Sequence, residues 1–312
     1  MISNYTYKPL YFFVITFIAT FSLWFAGAHF SFRGENNGLY MMLMLPGLMA
    51  PFLISLVMIL RSRNVEVTKD FINRLINPKL IQLKTLQLLM LLMPLSVLFS
   101  IALSLPYGGE LSQFQLAEGF SFSSGFVPVL LLLLCAASFE ELGWRGYACD
   151  SLQSRYTYFT ASLIFSILWS FWHFPLLFVK DSYQYAILHE NIWFAANFFI
   201  SIVPMGIIIS WICIKNRKSI LAAIFFHFII NISQEILNIT QMTKCIQTVV
   251  LIGIVAVIVV LDKEMFFSRE HLRRKRNISG YFKSAHIPLG TSAIRYTGFK
   301  SIDSRLSGKV DA

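Results

Sequence analysis

The stretch FEELGWRGY, residues 139–147, follows the apolar run LLLLCAAS at residues 131–138. It places Glu140, Glu141 and Arg145 at the end of a segment that otherwise has the composition of a membrane interior. An ionisable residue near the centre of a bilayer costs roughly 2.5–3.5 kcal/mol on insertion scales, and such residues are expected to face one another or a water-filled cavity. The stretch therefore predicts a membrane-embedded helix that carries part of a functional site.

The composition of the whole chain agrees with a membrane location. Of its 312 residues, 56% are hydrophobic and 13% are charged, whereas a soluble domain carries about 25% charged residues. We predict an all-α, polytopic helical bundle, and we expect the plasma membrane of a bacterium. The cysteines lack the spacing of a metal site and are expected to be packing residues. They are Cys135, Cys149, Cys213 and Cys245.

Eight apolar segments are long enough to cross a bilayer, allowing about 20 residues per crossing. They lie at 10–29, 38–60, 85–104, 125–147, 159–179, 191–214, 219–240 and 246–262. Lys and Arg are concentrated between the second and third segments, between the sixth and seventh, and in the tail, while 105–124 has none. Because positive residues favour the cytoplasmic side, this pattern predicts eight transmembrane helices with both termini in the cytoplasm.

The segments suggest four regions along the chain. Residues 1–124 hold the first three membrane helices and an amphipathic segment, 66–80, expected to lie on the cytoplasmic interface. Residues 125–240 form the predicted catalytic core, and 241–262 the last membrane helix. The tail, 263–312, has eleven Lys and Arg against four Asp and Glu. We expect it to be disordered and attracted to anionic lipids, and no nucleic-acid-binding motif accompanies its charge.

Helix geometry assigns different directions to the two glutamates. Glu141 and Arg145 are four residues apart, so they share one face of a helix and can form an ion pair. Glu140 lies about 100° around the helix from Glu141 and can point elsewhere. An ion pair that only holds helices together is the structural alternative for Glu141 and Arg145.

Two further segments add polar residues at membrane depth. His227 and Asn231 are four residues apart and present an imidazole and an amide side by side, while Trp169 lies one turn before His173 and can pack against it or shield it. Together with Glu140, these groups supply a carboxylate, two imidazoles and an amide. Such a set can activate water and stabilise an oxyanion.

Three motifs in this order resemble one family of intramembrane endopeptidases, the CAAX prenyl protease and bacteriocin-processing family. EELGWRG at 140–146 resembles its EExxxR motif, and WSFWHFP at 169–175 resembles its second motif, an aromatic residue before a histidine that a proline often follows. SILAAIFFHFIINIS at 219–233 is similar to its third motif, HxxxN. The resemblance covers about residues 125–240.

The resemblance implies a role for each matching residue. Glu140 would be the general base that activates water, assisted by His173, and His227 with Asn231 would stabilise the oxyanion. Glu141 and Arg145 would orient the site. Zinc held by Glu140, His173 and His227 stays open as an alternative, although the sequence has no HExxH; we favour water activation without an obligatory metal.

The predicted activity is hydrolysis of a peptide bond near the cytoplasmic membrane face, in a membrane-anchored peptide or protein. CAAX processing and cleavage of bacterial peptides or membrane proteins both remain open as the substrate class. A non-catalytic family member that acts in bacteriocin self-immunity or as a scaffold is the first alternative. A proton or ion pathway is the second. Because helix seven begins after Lys218, its site residues are expected to open toward the cytoplasm.

Overall fold

The chain forms an all-α bundle, as predicted. The computed structural model describes residues 5–33, 37–117, 123–124, 127–180, 182–269 and 272. Its helices are α1 (Pro9–Ser31), α2 (Asn37–Arg61), α3 (Val65–Ile76), α4 (Leu83–Ser104), α5 (Val129–Gly143), α6 (Cys149–Gln153), α7 (Tyr158–Trp172), α8 (Tyr183–Glu190), α9 (Ile192–Lys215), α10 (Ile220–Glu235), α11 (Gln241–Leu261) and α12 (Lys263–Phe267). Two-residue strands, Ser123–Ser124 and Val127–Pro128, pair antiparallel ahead of α5.

Each of the eight predicted membrane segments corresponds to a helix. Within the described residues, six helices are long and apolar enough to cross a membrane: Pro9–Ser31, Leu39–Arg61, Leu83–Tyr107, Tyr158–Phe178, Ile192–Lys215 and Gln241–Leu261. α10 is apolar but shorter. α5 is extended by a π-helical turn, Trp144–Ala148, and then by α6. For these two segments a full crossing remains a prediction.

Close packing of α5 on α2 explains the glycine in EELGWRG. A methyl group at Gly143 would overlap the backbone of Pro51 in α2. The adjoining core is aromatic, with Trp144 stacked against Phe13 and packed edge-on against Phe165 and Trp172. Since protein interiors are packed as densely as organic crystals, these contacts fix where the end of α5 lies in the bundle.

The bundle has two ends, and each is formed by a different set of segments that connect the long helices. The basic end is formed by 62–82, 154–157, 215–219 and 262–269, and the far end by 105–117, 182–191 and 236–243. At the basic end, the Asp150 carboxylate pairs with Arg74 at 2.6 Å and with Lys218 at 2.8 Å. At the far end, Gln113 accepts hydrogen bonds from Thr240 and Thr243. Successive membrane helices therefore run between these two ends.

The predicted amphipathic segment is the helix α3. The side chain of Asn64 caps its first turn by accepting from the amides of Glu66 and Val67. Val67, Phe71 and Arg74 are buried against the bundle. Exposed apolar residues, Val65, Ile72 and Ile76, remain on its outer surface. This pattern suits a helix that lies in the membrane interface.

The predicted tail begins later than residue 263. Lys263–Phe267 form α12, and Phe266 is completely buried and packs edge-on against Phe159 of α7. An apolar anchor of this kind fixes the start of the segment, so its assignment to a disordered tail is wrong there. The basic run Arg273–Arg276 lies outside the described residues.

Candidate active site

The two glutamates lie on the last turn of α5, just before the π-helical turn. Within that turn the amide of Cys149 donates to the carbonyl of Trp144, five residues earlier. Single π-helical turns are rare in proteins, and those that do occur are frequently located at functional sites. Arg74 of α3 donates to the carbonyl of Arg145 at 3.0 Å and, more weakly, to that of Gly146 at 3.5 Å. A buried arginine from the interfacial helix thus satisfies the backbone of this turn.

Glu141 lies at the centre of a buried ionic group. Its carboxylate pairs with Arg145 at 2.9 Å, which confirms the predicted i, i+4 ion pair. The same carboxylate accepts from Nδ1 of His227 at 2.9 Å. Glu141 is completely buried, and a buried carboxylate requires such partners. This group therefore holds α10 against α5.

Arg145 extends the same group to two more helices. Its guanidinium lies 4.4 Å from the ring centroid of Phe165 on α7, a distance at which cation–π attraction operates. It also lies 3.5 Å from the carbonyl of Gly206 and from the hydroxyl of Ser210, both on α9. Arg145 does not line the cavity described below. Arg145 therefore links α5, α7 and α9 behind the cavity, and its predicted role in orienting the site remains a prediction.

Glu140 points in a different direction from Glu141, as the 100° offset predicts. Its Oε2 accepts a hydrogen bond from the indole Nε1 of Trp169 at 2.7 Å. The Trp169 ring packs edge-on against both imidazoles, with centroid distances of 5.9 Å to His173 and 5.4 Å to His227. Its carbonyl also accepts from Nδ1 of His173 at 2.8 Å. Trp169 therefore contacts all three ionisable residues assigned to the chemistry.

Hydrogen bonding assigns the proton positions on the two histidines. His173 bonds through Nδ1 to a carbonyl, and His227 bonds through Nδ1 to a carboxylate. Both partners are acceptors, so each Nδ1 carries a proton. Nε2 is left on each ring for a substrate or water.

A cavity of about 380 Å³ joins these groups. Five of the seven predicted site residues line it: Glu140, Trp169, His173, His227 and Asn231. Glu141 and Arg145 do not line the cavity and lie behind the residues that do. A cavity of this size is within the usual range for a ligand pocket, so the three motifs, distant in sequence, meet around one space.

The cavity opens toward the far end of the bundle. Its lining is buried at Glu140 and His227, and it continues along α9, α10 and α11 to the exposed residues Tyr183 and Glu235. The expectation that it opens on the same side as the basic loops is therefore wrong. The number of residues from Lys218 to His227 gives the depth of His227 below the basic end. Asn231 and Glu235, which also line the cavity, lie farther along α10 toward the far end. Whether the basic end faces the cytoplasm remains a prediction.

The donor set does not favour the zinc alternative. Within the described part of the chain, no three His, Cys, Asp or Glu side chains are grouped so as to hold a metal ion. One oxygen of Glu140 is already bonded to Trp169. A zinc ion held by Glu140, His173 and His227 remains the alternative prediction. None of the four cysteines forms a disulfide.

Comparison with known proteins gives the family. The family model described as Type II CAAX prenyl endopeptidase Rce1-like matches residues 122–233, which contain all seven predicted site residues. The protein called CAAX prenyl protease 2 from Methanococcus maripaludis is 61% identical over 269 residues, covering 86% of this chain and 99% of that relative. Its source is an archaeon, so the expectation of a bacterial membrane gains nothing from it. With this identity and six helices able to span a bilayer, the chain is a multi-pass membrane protein that belongs to the CAAX prenyl protease family.

Proposed function

We propose that this endopeptidase hydrolyses a peptide bond in the C-terminal segment of a lipid-anchored protein, using water activated by Glu140 and His173. The observation that carries the proposal is the single cavity where these residues meet His227 and Asn231. The relative's name, CAAX prenyl protease, supports a prenylated C-terminal segment as the substrate class. All of the chemical groups are present, and nothing in the site favours the non-catalytic alternative.

Water activation follows from the acceptors that remain unused. The Oε2 atom of Glu140 is bonded to Trp169, which leaves Oε1 to accept a proton from water. A neutral His173 with a proton on Nδ1 offers Nε2 as a second acceptor. Water that donates one hydrogen to each group directs a lone pair at the substrate carbonyl carbon. Glu140 takes the proton and later delivers it to the leaving amine, as a general base and then a general acid.

The oxyanion that forms on the substrate carbonyl requires hydrogen-bond donors. The side-chain amide of Asn231 can donate to it from α10. His227 can donate from Nε2 only if both ring nitrogens carry protons, because Nδ1 already donates to Glu141. The Glu141 carboxylate pairs with this charged imidazole, and Arg145 pairs with the same carboxylate. In this role Glu141 and Arg145 are positioning residues.

A lipid anchor explains why the site lies at membrane depth. The lipid on a modified cysteine remains in the bilayer while the adjacent peptide enters the cavity. Hydrolysis breaks the amide C–N bond, adds the water oxygen to the carbonyl carbon and releases a short peptide with a free amine. The basic end carries exposed Arg61, Lys69 and Lys79, and we assign to these residues the attraction to anionic lipids, at about 1 kcal/mol per charge.

Mass spectrometry of peptide products tests the proposal. Purified protein in lipid would be incubated with a farnesylated C-terminal peptide, beside Glu140→Gln and the matched control Glu190→Gln, an exposed carboxylate on α8. We expect cleavage by the wild type and the control alone. Equal cleavage by Glu140→Gln would remove the glutamate from the mechanism. Adding a chelator to the wild-type sample decides whether a metal is required.

A further inference from the structure

The rim of the cavity carries one lysine in a defined position. Among the described residues that line the cavity, Lys244 is the only Lys or Arg. Its ammonium donates to the hydroxyl of Tyr183 at 3.1 Å and lies 4.4 Å from the centroid of that ring. The Tyr183 hydroxyl in turn donates to Gln241 at 2.9 Å. Neutral partners therefore hold Lys244 by hydrogen bonding. It forms no salt bridge within the described chain, and the nearest opposite charge that acts on it is Glu235 on the same rim.

The distance from Lys244 to the catalytic groups follows from the register of α10 and α11. Gln234 donates to Gln247 at 2.9 Å, which places these two residues at the same level. Gln234 is seven residues beyond His227, and Lys244 is three residues farther toward the far end than Gln247. At 1.5 Å per residue, the Cα atoms of His227 and Lys244 are separated by about 15 Å along the bundle.

In a CAAX sequence three residues follow the lipidated cysteine, and under the proposed function a cut directly behind that cysteine fits this separation. Three extended residues span about 10 Å from the scissile bond to the terminal carboxylate. The remaining distance, about 5 Å, is within reach of the four-carbon stem of a lysine. The wall between the two points is apolar and includes Phe198, Ile202 and Leu251, which suits aliphatic side chains. A carboxylate is costly to bury unless it is paired, and the rim offers both solvent and a cation.

We propose that Lys244 binds the free α-carboxylate of the substrate and so fixes the cut at a set distance from the C-terminus. This inference rests on the proposed peptidase function. Lys244 is a specificity-determining residue in this scheme and takes no part in the chemistry. Glu235 lines the same rim; its negative charge opposes carboxylate binding, so it offers a matched control of opposite sign.

The test compares two lipidated peptides of identical sequence, one with a free C-terminal carboxylate and one with a C-terminal amide. For the wild type we expect kcat/KM to be tenfold or more higher on the acid, the effect of a charge-assisted hydrogen bond. Lys244→Gln should lower cleavage of the acid to the level of the amide, through KM, and leave the amide unchanged. Lys244→Arg should retain most of the preference, and Glu235→Gln should keep or increase it.

The outcomes separate this inference from the proposed function. If the wild type cleaves both peptides equally and Lys244→Gln changes nothing, the carboxylate site is wrong while the peptidase stands. If Lys244→Gln loses both activities in equal proportion, Lys244 has a structural role and the inference is also wrong. If the wild type cleaves neither peptide, the proposed function itself fails.

Discussion

Replacing Trp169 by phenylalanine isolates the hydrogen bond that holds the carboxylate of Glu140, the proposed general base. The substitution removes the indole N–H that donates to Glu140 at 2.7 Å, and it keeps an aromatic ring beside the two histidines. The backbone bond from His173 to the Trp169 carbonyl is unaffected. A hydrogen bond to a charged group contributes about 1.5–3 kcal/mol. If this bond is needed only to aim Glu140, that energy corresponds to a loss of about 10- to 150-fold in kcat.

The assay follows release of the C-terminal peptide from the farnesylated substrate, together with thermal unfolding of each variant. Trp172→Phe is the matched control, because its indole donates to Thr20 at 3.0 Å and not to a site residue. Phenylalanine also keeps an aromatic ring against His173, which Trp172 contacts at 4.9 Å between ring centroids. Both substitutions remove one buried indole bond and should lower the melting temperature to a similar extent. We expect kcat to fall only for Trp169→Phe.

Two results would refute this reasoning. If Trp169→Phe keeps more than half of the wild-type kcat, the indole does not position Glu140. If Trp172→Phe loses as much kcat as Trp169→Phe, the effect comes from general loosening of α7.

Four further predictions test the framework of the site. Arg145→Met should destabilise the fold by about 3–5 kcal/mol, since it breaks a buried ion pair and leaves His227 as the only remaining partner of the Glu141 carboxylate; chemical denaturation in detergent measures this. Gly143→Ala should lower the melting temperature by overlap with Pro51, whereas Gly253→Ala, which has open space around it, should not. Burial alone would raise the pKa of Asp150, but Arg74 and Lys218 bring it below its usual value. Its contribution to stability is therefore complete above about pH 4 and lost at lower pH; melting temperatures from pH 7 to 3 should show this slope in the wild type and not in Asp150→Asn. Single cysteines at the exposed positions Lys79 and Asn238 should react with an impermeant maleimide from opposite sides of the membrane, and labelling of both from one side would contradict the two-ended bundle.

Local spacing was sufficient to predict part of the site. The Glu141–Arg145 pair follows from four-residue spacing on a helix, and the divergence of Glu140 follows from the 100° step. The amphipathic helix α3 follows from the helical spacing of its apolar residues, which places them on one face and the polar residues on the other. These features depend on one helix at a time, so its sequence specifies them.

Contacts between residues on different helices could not be predicted from the sequence alone. His227 bonds to a carboxylate 86 residues away, and Trp169 bonds to one 29 residues away. The side on which the cavity opens was predicted wrongly because residue counting gives depth along one helix and not the path between helices. A signal did exist in the last membrane segment, where Lys244, Gln247 and Thr248 follow the i, i+3, i+4 pattern of one helical face.

The balance of charges in the proposed site gives a physical reason for two adjacent glutamates. With His227 protonated in the proposed mechanism, Glu141, Arg145, Glu140 and His227 together carry no net charge, which limits the cost of ionisation at membrane depth. As water attacks, its proton neutralises Glu140 while a negative charge forms on the substrate oxygen. The site therefore moves one negative charge across the cavity, toward His227 and Asn231, without creating a new one. Glu141 is occupied by His227 and Arg145, whereas Glu140 takes up the proton in the proposed mechanism, so neither glutamate can replace the other.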